Sequence, residues 1–490
     1  MTPVRDRSLR TDGTRPSEWW ERIVVLHVAV LIVGTSWGFG GQAPWVRHLL
    51  ALWGTVGIAL FVMIAGRRSV RRELTSQPLR HLWPLLAFDV LVLISAWNPS
   101  TELIRSGTES FFRHVAPRWS WLPSSARPEI SLRELWQFNG IVVSCYNLLF
   151  VIQGRRRLRQ LLYVVGLNAL ALAIFGTLQK LIHAPGLWFG RIKSPNDFFF
   201  STFVYHNHWG AFTVLNTAAC LALLFHALRR EQHRDLWHSP ALAGAVATLL
   251  LAATAPLSGS RSSSVLLALF LVAALVHFLA RLIRLRREHH ESVILPVGGI
   301  VLVALLAAGG VFGLSRNVIA VRAQATVQQL QDMRQETTLN QRLRLYRDTW
   351  NMAAERPVFG WGLETYANVF MIYNSAPDPG PGGWKPFYSE AHNDWLQSLA
   401  EVGFVGTGLL VLLAFMPLAS VAWRRVESLM PRYLLAGCAL VALYACAEFP
   451  FANPSVMIAF WFSLYLAAAY ARLDLIAQRR ENGALASAHV

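Results

Sequence analysis

The chain has 490 residues, 54% hydrophobic and only 15% charged, with 19 Trp. This is too apolar for an ordinary soluble enzyme and describes a multi-spanning membrane protein. A formal net charge of +17, from 45 Lys and Arg against 28 Asp and Glu, would suggest nucleic acid as partner in a soluble protein. Here the charges follow membrane topology, and no nucleic acid is expected.

A spanning helix needs about 20 mostly apolar residues. Such runs lie near 22–39, 49–66, 80–97, 135–153, 159–180, 205–228, 240–257, 262–281, 292–314, 399–420, 432–449 and 453–472. They predict an all-α integral membrane protein of about 12 transmembrane helices. Residues 1–21 form an N-terminal tail carrying Arg5, Arg7, Arg10 and Arg15, and 473–490 a C-terminal tail. The first apolar run ends at Thr35-Ser36-Trp37 without a small-residue cleavage site and is expected to stay as a span. Cys145, Cys220, Cys438 and Cys446 all fall in apolar runs, so they read as small buried residues and not as disulfides or a zinc site.

Orientation follows from the short loops. Arg67, Arg68, Arg71, Arg72 and Arg80 share one side with Arg155, Arg156, Arg157 and Arg159. Arg229, Arg230, Arg234, Arg281, Arg284, Arg286 and Arg287 fall on that side too, with Arg424, Arg425, Arg432, Arg472, Arg479 and Arg480. The alternation holds across every span and puts both termini in the cytoplasm. Two long segments then lie outside. Residues 98–134, mixing aromatic and basic residues, read as an interfacial element. Residues 315–398, between the ninth and tenth spans, have the composition of a soluble protein and are expected to be mostly helical, over Val321–Arg334 and Leu339–Glu355.

Polar groups collect at the outer boundary. In Ser389-Glu390-Ala391-His392-Asn393-Asp394, Ser389 is a candidate N-cap, which would place His392 in the first helical turn on the side of Leu396 and Leu399. The electropositive helix terminus favours neutral imidazole, as a general base requires; the bland alternative is an interfacial histidine. Arg261, in a serine-rich run opening the eighth span, suits an anion such as phosphate, or simply snorkels. Arg342, Arg344 and Arg347 lie on a polar helix in which Arg344 and Arg347 share a face. His206-Asn207-His208 could bind zinc with His392 or Asp394, a weaker reading. Asp89 and Glu448 are acids inside predicted spans, hence candidates for function or for structural pairing. No Walker loop, dinucleotide glycine fingerprint, H-E-x-x-H, G-x-S-x-G or D-x-D is present, so neither a nucleotide site nor a zinc or serine hydrolase is indicated.

The order of these pieces resembles the O-antigen ligase and polymerase family of bacterial membrane glycosyltransferases. The resemblance rests on Ala391-His392-Asn393-Asp394-Trp395-Leu396 followed by Glu401-x-Gly403-x-x-Gly406, on Phe203-Val204-Tyr205-His206-Asn207-His208-Trp209-Gly210, and on Ser260-Arg261. It also rests on Arg342-Leu343-Arg344-Leu345-Tyr346 leading to Pro357-Val358-Phe359-Gly360-Trp361-Gly362, with Tyr346 where the family often has Trp. It implies transfer of a glycan from undecaprenyl pyrophosphate to an acceptor hydroxyl on a glycan or glycolipid, at the periplasmic face of the inner membrane, without metal or other cofactor. His392 matches the family's essential histidine, and Arg261 and Arg342 its pyrophosphate-binding arginines. Asn207, His208, Arg344, Asn393, Asp394 and Glu401 are expected to line the site; Glu390, Asp394 and Glu401 are alternatives for orienting His392. A transporter of lipid-linked sugars is the competing class, and it would show repeat symmetry and broken helices near the midplane.

The topology predicts that alkaline phosphatase inserted within 98–134 or 315–398 is active, while a fluorescent protein fused within 473–490 fluoresces. The reverse pattern in cells would overturn it.

Overall fold

A computed structural model describes residues 18–66, 80–106, 109–196, 198–230, 239–331, 338–377, 383 and 385–488. Within them the chain forms fourteen α-helices and one hairpin. The helices are α1 (Glu18–Trp37), α2 (Pro44–Gly66), α3 (Trp83–Trp97), α4 (Pro128–Val151), α5 (Arg155–Leu181), α6 (His206–Arg230) and α7 (Pro240–Ser258). They continue with α8 (Arg261–Glu288), α9 (Ile294–Gln331), α10 (Thr338–Glu355), α11 (Tyr366–Tyr373), α12 (Asp394–Ala419), α13 (Met430–Tyr444) and α14 (Pro454–Ala488).

Each of the twelve apolar runs is a helix, but the lengths differ from the expectation. Nine described helices are long and apolar enough to cross a membrane, whereas α3 and α13 are shorter. Helix α4 is long, but Glu129, Arg133, Glu134, Gln137 and Asn139 make its first half polar. The segment 98–134 contains an antiparallel hairpin, β1 (Thr101–Ser106) with β2 (Glu109–His114). Helix α9 runs on through 314 to Gln331. Of the cysteines, Cys446 is exposed and the other three are buried. Asp89 accepts a hydrogen bond of 2.8 Å from the Asn139 amide, which makes it a paired acid between α3 and α4.

The main core is built around α14, whose apolar stretch is almost wholly enclosed by protein, while Ile294–Gly313 of α9 is enclosed nowhere. That contrast follows from composition: α14 presents Phe462, Tyr465 and small Ala467, Ala468 and Ala469 to its neighbours, and short side chains let helices approach closely. Arg155 and Asp474 pair at 2.7 Å at one end of the bundle. At the other end sits a cap with its own apolar core, formed by Leu345 and Met352 of α10, Trp361, Tyr366 and Phe370, and Ala391 and Ala400.

The cap is joined to the bundle through a break in α12. Gly403 has φ +65° and ψ −173°, a conformation open to glycine alone. The backbone groups released there are taken up by the cap: Phe404 N donates to Pro357 O (2.8 Å), Val405 N to Val358 O (3.1 Å), Trp361 N to Ala400 O (3.0 Å) and Gly362 N to Glu401 O (2.7 Å). Satisfying these groups internally is what makes a broken helix tolerable in a membrane protein. A Cβ on Gly403 would lie 2.3 Å from Val358 O, whereas one on Gly408 would meet nothing within 4 Å. Gly403→Ala is therefore expected to cost about 2–4 kcal/mol and to lower the thermal unfolding temperature in detergent, with Gly408→Ala, on the same helix, causing no loss.

Candidate active site

The structure changes how His392 is held. Helix α12 begins at Asp394, not at Ser389; Asn393 is the N-cap, its side-chain oxygen accepting from Leu396 N at 3.0 Å. His392 is therefore outside the helix, at φ +54°, and not in its first turn above Leu396 and Leu399. The strap before α12 is fixed by tertiary bonds instead. Ala391 N donates to Gln397 Oε1 at 2.9 Å, the Tyr346 hydroxyl donates to the His392 carbonyl at 2.9 Å, and Asp394 N donates to Ala445 O at 2.9 Å.

The partner of His392 is Glu448. Helix α13 ends at Tyr444, so this carboxyl lies in the connection beyond it, with 4% of its side chain exposed. One oxygen accepts from Arg342 Nη2 at 3.0 Å. The other is 3.6 Å from His392 Nδ1, close enough for electrostatic attraction and slightly too far for a hydrogen bond. Both of those facing atoms are buried and have no hydrogen-bond partner among the described residues. Burial alone would push the Glu448 carboxyl up, but the His392 ring and the Arg342 guanidinium together hold it below the usual range. Phe449 adds a wall: its ring meets His392 edge-on at 4.6 Å and stacks on Tyr205 at 5.2 Å.

Behind this lies a support layer. His208 Nε2 is 3.2 Å from Phe449 O, and its Nδ1 is 3.2 Å from the Gln42 amide nitrogen. Protein groups thus engage both ring nitrogens, leaving none for the zinc that His206-Asn207-His208 suggested. Asn207 is bonded through its amide nitrogen to the Tyr205 hydroxyl (2.8 Å) and through its oxygen to the Ser260 hydroxyl (2.8 Å). Ser260 stands at the N-cap position of α8, and Arg261 follows it at the first helical position with an exposed side chain. The structure thus links the Tyr205-to-Trp209 segment to the Ser260-Arg261 pair.

Other expected residues lie elsewhere. Arg344 makes no hydrogen bond or ion pair with the His392 cluster among the described residues, and Arg342 does. Asp394 accepts from Phe451 N at 2.9 Å, supporting the connection that carries Glu448. Glu401 is engaged by the cap loop and by Gln397. It accepts from Glu364 N (2.8 Å), Tyr366 N (3.3 Å) and Gln397 Nε2 (3.1 Å), and Gln397 also reaches Glu390 at 2.8 Å. Neither Glu390 nor Glu401 is placed to orient His392. Glu448 was visible in the sequence only as an acid at the end of an apolar run; Phe449 and Gln42 carried no signal.

Residues 246–411 match the family model described as O-antigen ligase. The match supports placing the chain in the O-antigen ligase and polymerase family of membrane enzymes. It covers Arg261, Arg342 and His392 and stops short of Glu448. No curated protein matches the chain.

The acids around Gln397 generate a pH-dependent stability. Burial, and then the Glu134 carboxylate, raise Glu364 from 4.5 to about 6, and burial followed by Glu364 raises Glu390 well above its ordinary value. A carboxyl with a raised pKa binds protons better when folded, so its contribution is full below 4.5 and is lost as pH rises through about 6. Thermal unfolding in detergent is expected to show the wild type losing up to about 2 kcal/mol more than Glu364→Gln between pH 5 and 7. Parallel pH profiles would contradict this.

Proposed function

We propose that the protein transfers a glycan from undecaprenyl pyrophosphate to an acceptor hydroxyl at the periplasmic face of the inner membrane. The observation that carries this reading is the convergence of Arg342, Glu448 and His392 at one end of the bundle, connected through Phe449, Tyr205 and Asn207 to Ser260. The acceptor is a lipid A–core sugar if the enzyme is a ligase, or a second carrier-linked glycan if it is a polymerase.

The chemistry follows from the geometry. Glu448 faces Nδ1 of His392, which favours a proton on that nitrogen and leaves Nε2 as the base, the same role division by which a carboxylate orients an imidazole in hydrolase triads. The acceptor oxygen forms its bond to the anomeric carbon as its proton passes to Nε2. The bond from that carbon to the phosphate oxygen breaks, and its electron pair leaves with the pyrophosphate. Arg342 and Arg261 supply fixed positive charge for the leaving group, which allows the reaction to proceed without a metal. Glu448 stabilises the imidazolium that forms. A single displacement of this kind inverts the anomeric configuration.

The break in α12 is the feature a transporter would share. Its freed backbone groups, however, are bonded to the cap loop Pro357–Gly362 and are not left facing a pathway, which favours the enzyme.

With purified protein, a polyprenyl-pyrophosphate glycan and an acceptor, transfer is expected to persist in EDTA. His392→Ala should lower the rate by about 10²–10⁴-fold with thermal stability retained. Glu448→Gln should shift the pH dependence of transfer as well as slow it. Abolition by chelator would remove the metal-free chemistry; near-wild-type transfer by His392→Ala would remove the base.

A further inference from the structure

His208 is 2% exposed and takes no part in the transfer chemistry above. Its hydrogen bonds fix its own protonation. The Phe449 carbonyl, 3.2 Å from Nε2, can only accept, so the proton of that bond is on Nε2. In a neutral ring Nδ1 then keeps a lone pair, and the Gln42 amide nitrogen 3.2 Å away is the donor it needs. A second proton would place a charge in a buried site and turn Nδ1 into a donor facing that same amide nitrogen. Gln42 is delivered by the turn between α1 and α2. There Gly41, at φ +86°, sits so close to the start of α14 that a Cβ on it would lie 2.7 Å from Pro454 Cβ.

The peptide that His208 holds carries both neighbours of the His392 ring. Among the described residues, the hydrogen bond to Phe449 O comes from His208. Phe449 meets His392 edge-on at 4.6 Å, and Glu448, the residue before it, faces His392 Nδ1 at 3.6 Å. Tyr205 stacks on the Phe449 ring at 5.2 Å, and the His208 ring meets it nearly at right angles at 5.1 Å. The connection is also tied at Glu448 N, to Tyr444 O (3.1 Å), and at Phe451 N, to Asp394 (2.9 Å). Between these two points the peptide plane is set by His208, because a hydrogen bond is directional where ring contacts tolerate a range of angles.

We propose that His208, as the neutral Nε2–H tautomer braced by Gln42, is a positioning residue that aims the Glu448 carboxyl and the Phe449 ring at His392. The proposal rests on the transferase reading above for the reaction this aim serves, and on the geometry alone for the aim itself. The two histidines then divide the task. One imidazole is committed to two protein bonds and keeps a single protonation state, while the other gains and loses a proton during transfer.

The test uses the full-length protein in phosphatidylcholine bilayers and solid-state NMR, with isotope labels at histidine ring nitrogens, phenylalanine carbonyls and glutamate carboxyls. Signals of His208 and His392 are those lost in His208→Gln and His392→Ala. The His208 nitrogen dipolar-coupled to the Phe449 carbonyl is expected to carry a proton and the other ring nitrogen none; a proton on Nδ1 overturns the proposal. His208→Leu, which removes the donor, should weaken the coupling between His392 Nδ1 and the Glu448 carboxyl. His208→Gln, whose amide nitrogen takes the place of Nε2, should keep it. In glycan transfer, His208→Leu should lower kcat by about 10–100-fold with KM for the donor changed less than about twofold. It should also move the pH dependence in the direction that Glu448→Gln moves it, and His208→Gln should recover most of the rate. Equal losses in both variants with an unmoved pH dependence would make His208 merely structural and overturn the positioning. If His208→Leu does not fold, Gln42→Leu, which takes away the donor to Nδ1, is expected to weaken the same coupling and slow transfer by about threefold or more; an unchanged coupling overturns the proposal. The expected couplings in a wild type that transfers no glycan would leave the positioning standing and sink the transferase reading. Normal transfer by a His208→Leu protein that retains the coupling of His392 to Glu448 would do the opposite.

Discussion

A carboxylate removed from water must be paired, and Glu448 is the one on which the cap depends. Isolated, such a group costs several kcal/mol. Its charge is balanced by Arg342 from α10, and its second oxygen faces the His392 ring of the strap before α12, so α10 and the strap both close onto the end of α13. Tyr346, one helical turn beyond Arg342, bonds the carbonyl of His392 and locks the two together. The ion cluster is therefore as much a fastening between cap and bundle as a set of chemical groups. Removing one member of a buried pair typically costs about 3–5 kcal/mol, whereas replacing an exposed arginine costs little.

What was legible in the sequence was what is local. Apolar runs report helices because a membrane demands the same composition wherever a helix crosses it, and every predicted run is helical. The polymeric details of ends were not legible. Ser389 and Asn393 are equally good N-cap types; the choice of Asn393 is made by Gln397, Tyr346 and Ala445, which hold the preceding residues in a non-helical strap. The hairpin over Thr101–His114 was hidden because aromatic and basic residues suit an interfacial segment as well as a strand.

The site itself was half legible. Arg342 and His392 stand in motifs, but the pairing of His392 was sought among the nearby acids Glu390, Asp394 and Glu401. Glu401 is instead taken up by the Glu364 and Tyr366 N–H groups and by Gln397, contacts that come from a loop remote in sequence. The true partner comes from a different helix connection, 106 residues beyond Arg342, and no local pattern encodes such a distance.

The position of Glu448 late in the chain has a consequence for biogenesis. Chains emerge N-terminus first and their parts fold in that order. Arg342 and His392 are made before the α13 connection that carries Glu448. Until that connection is in place, Arg342 and His392 lack the carboxylate on which they converge. Arrival of the α13 connection, not insertion of the motif-bearing segments alone, brings the third member to this centre.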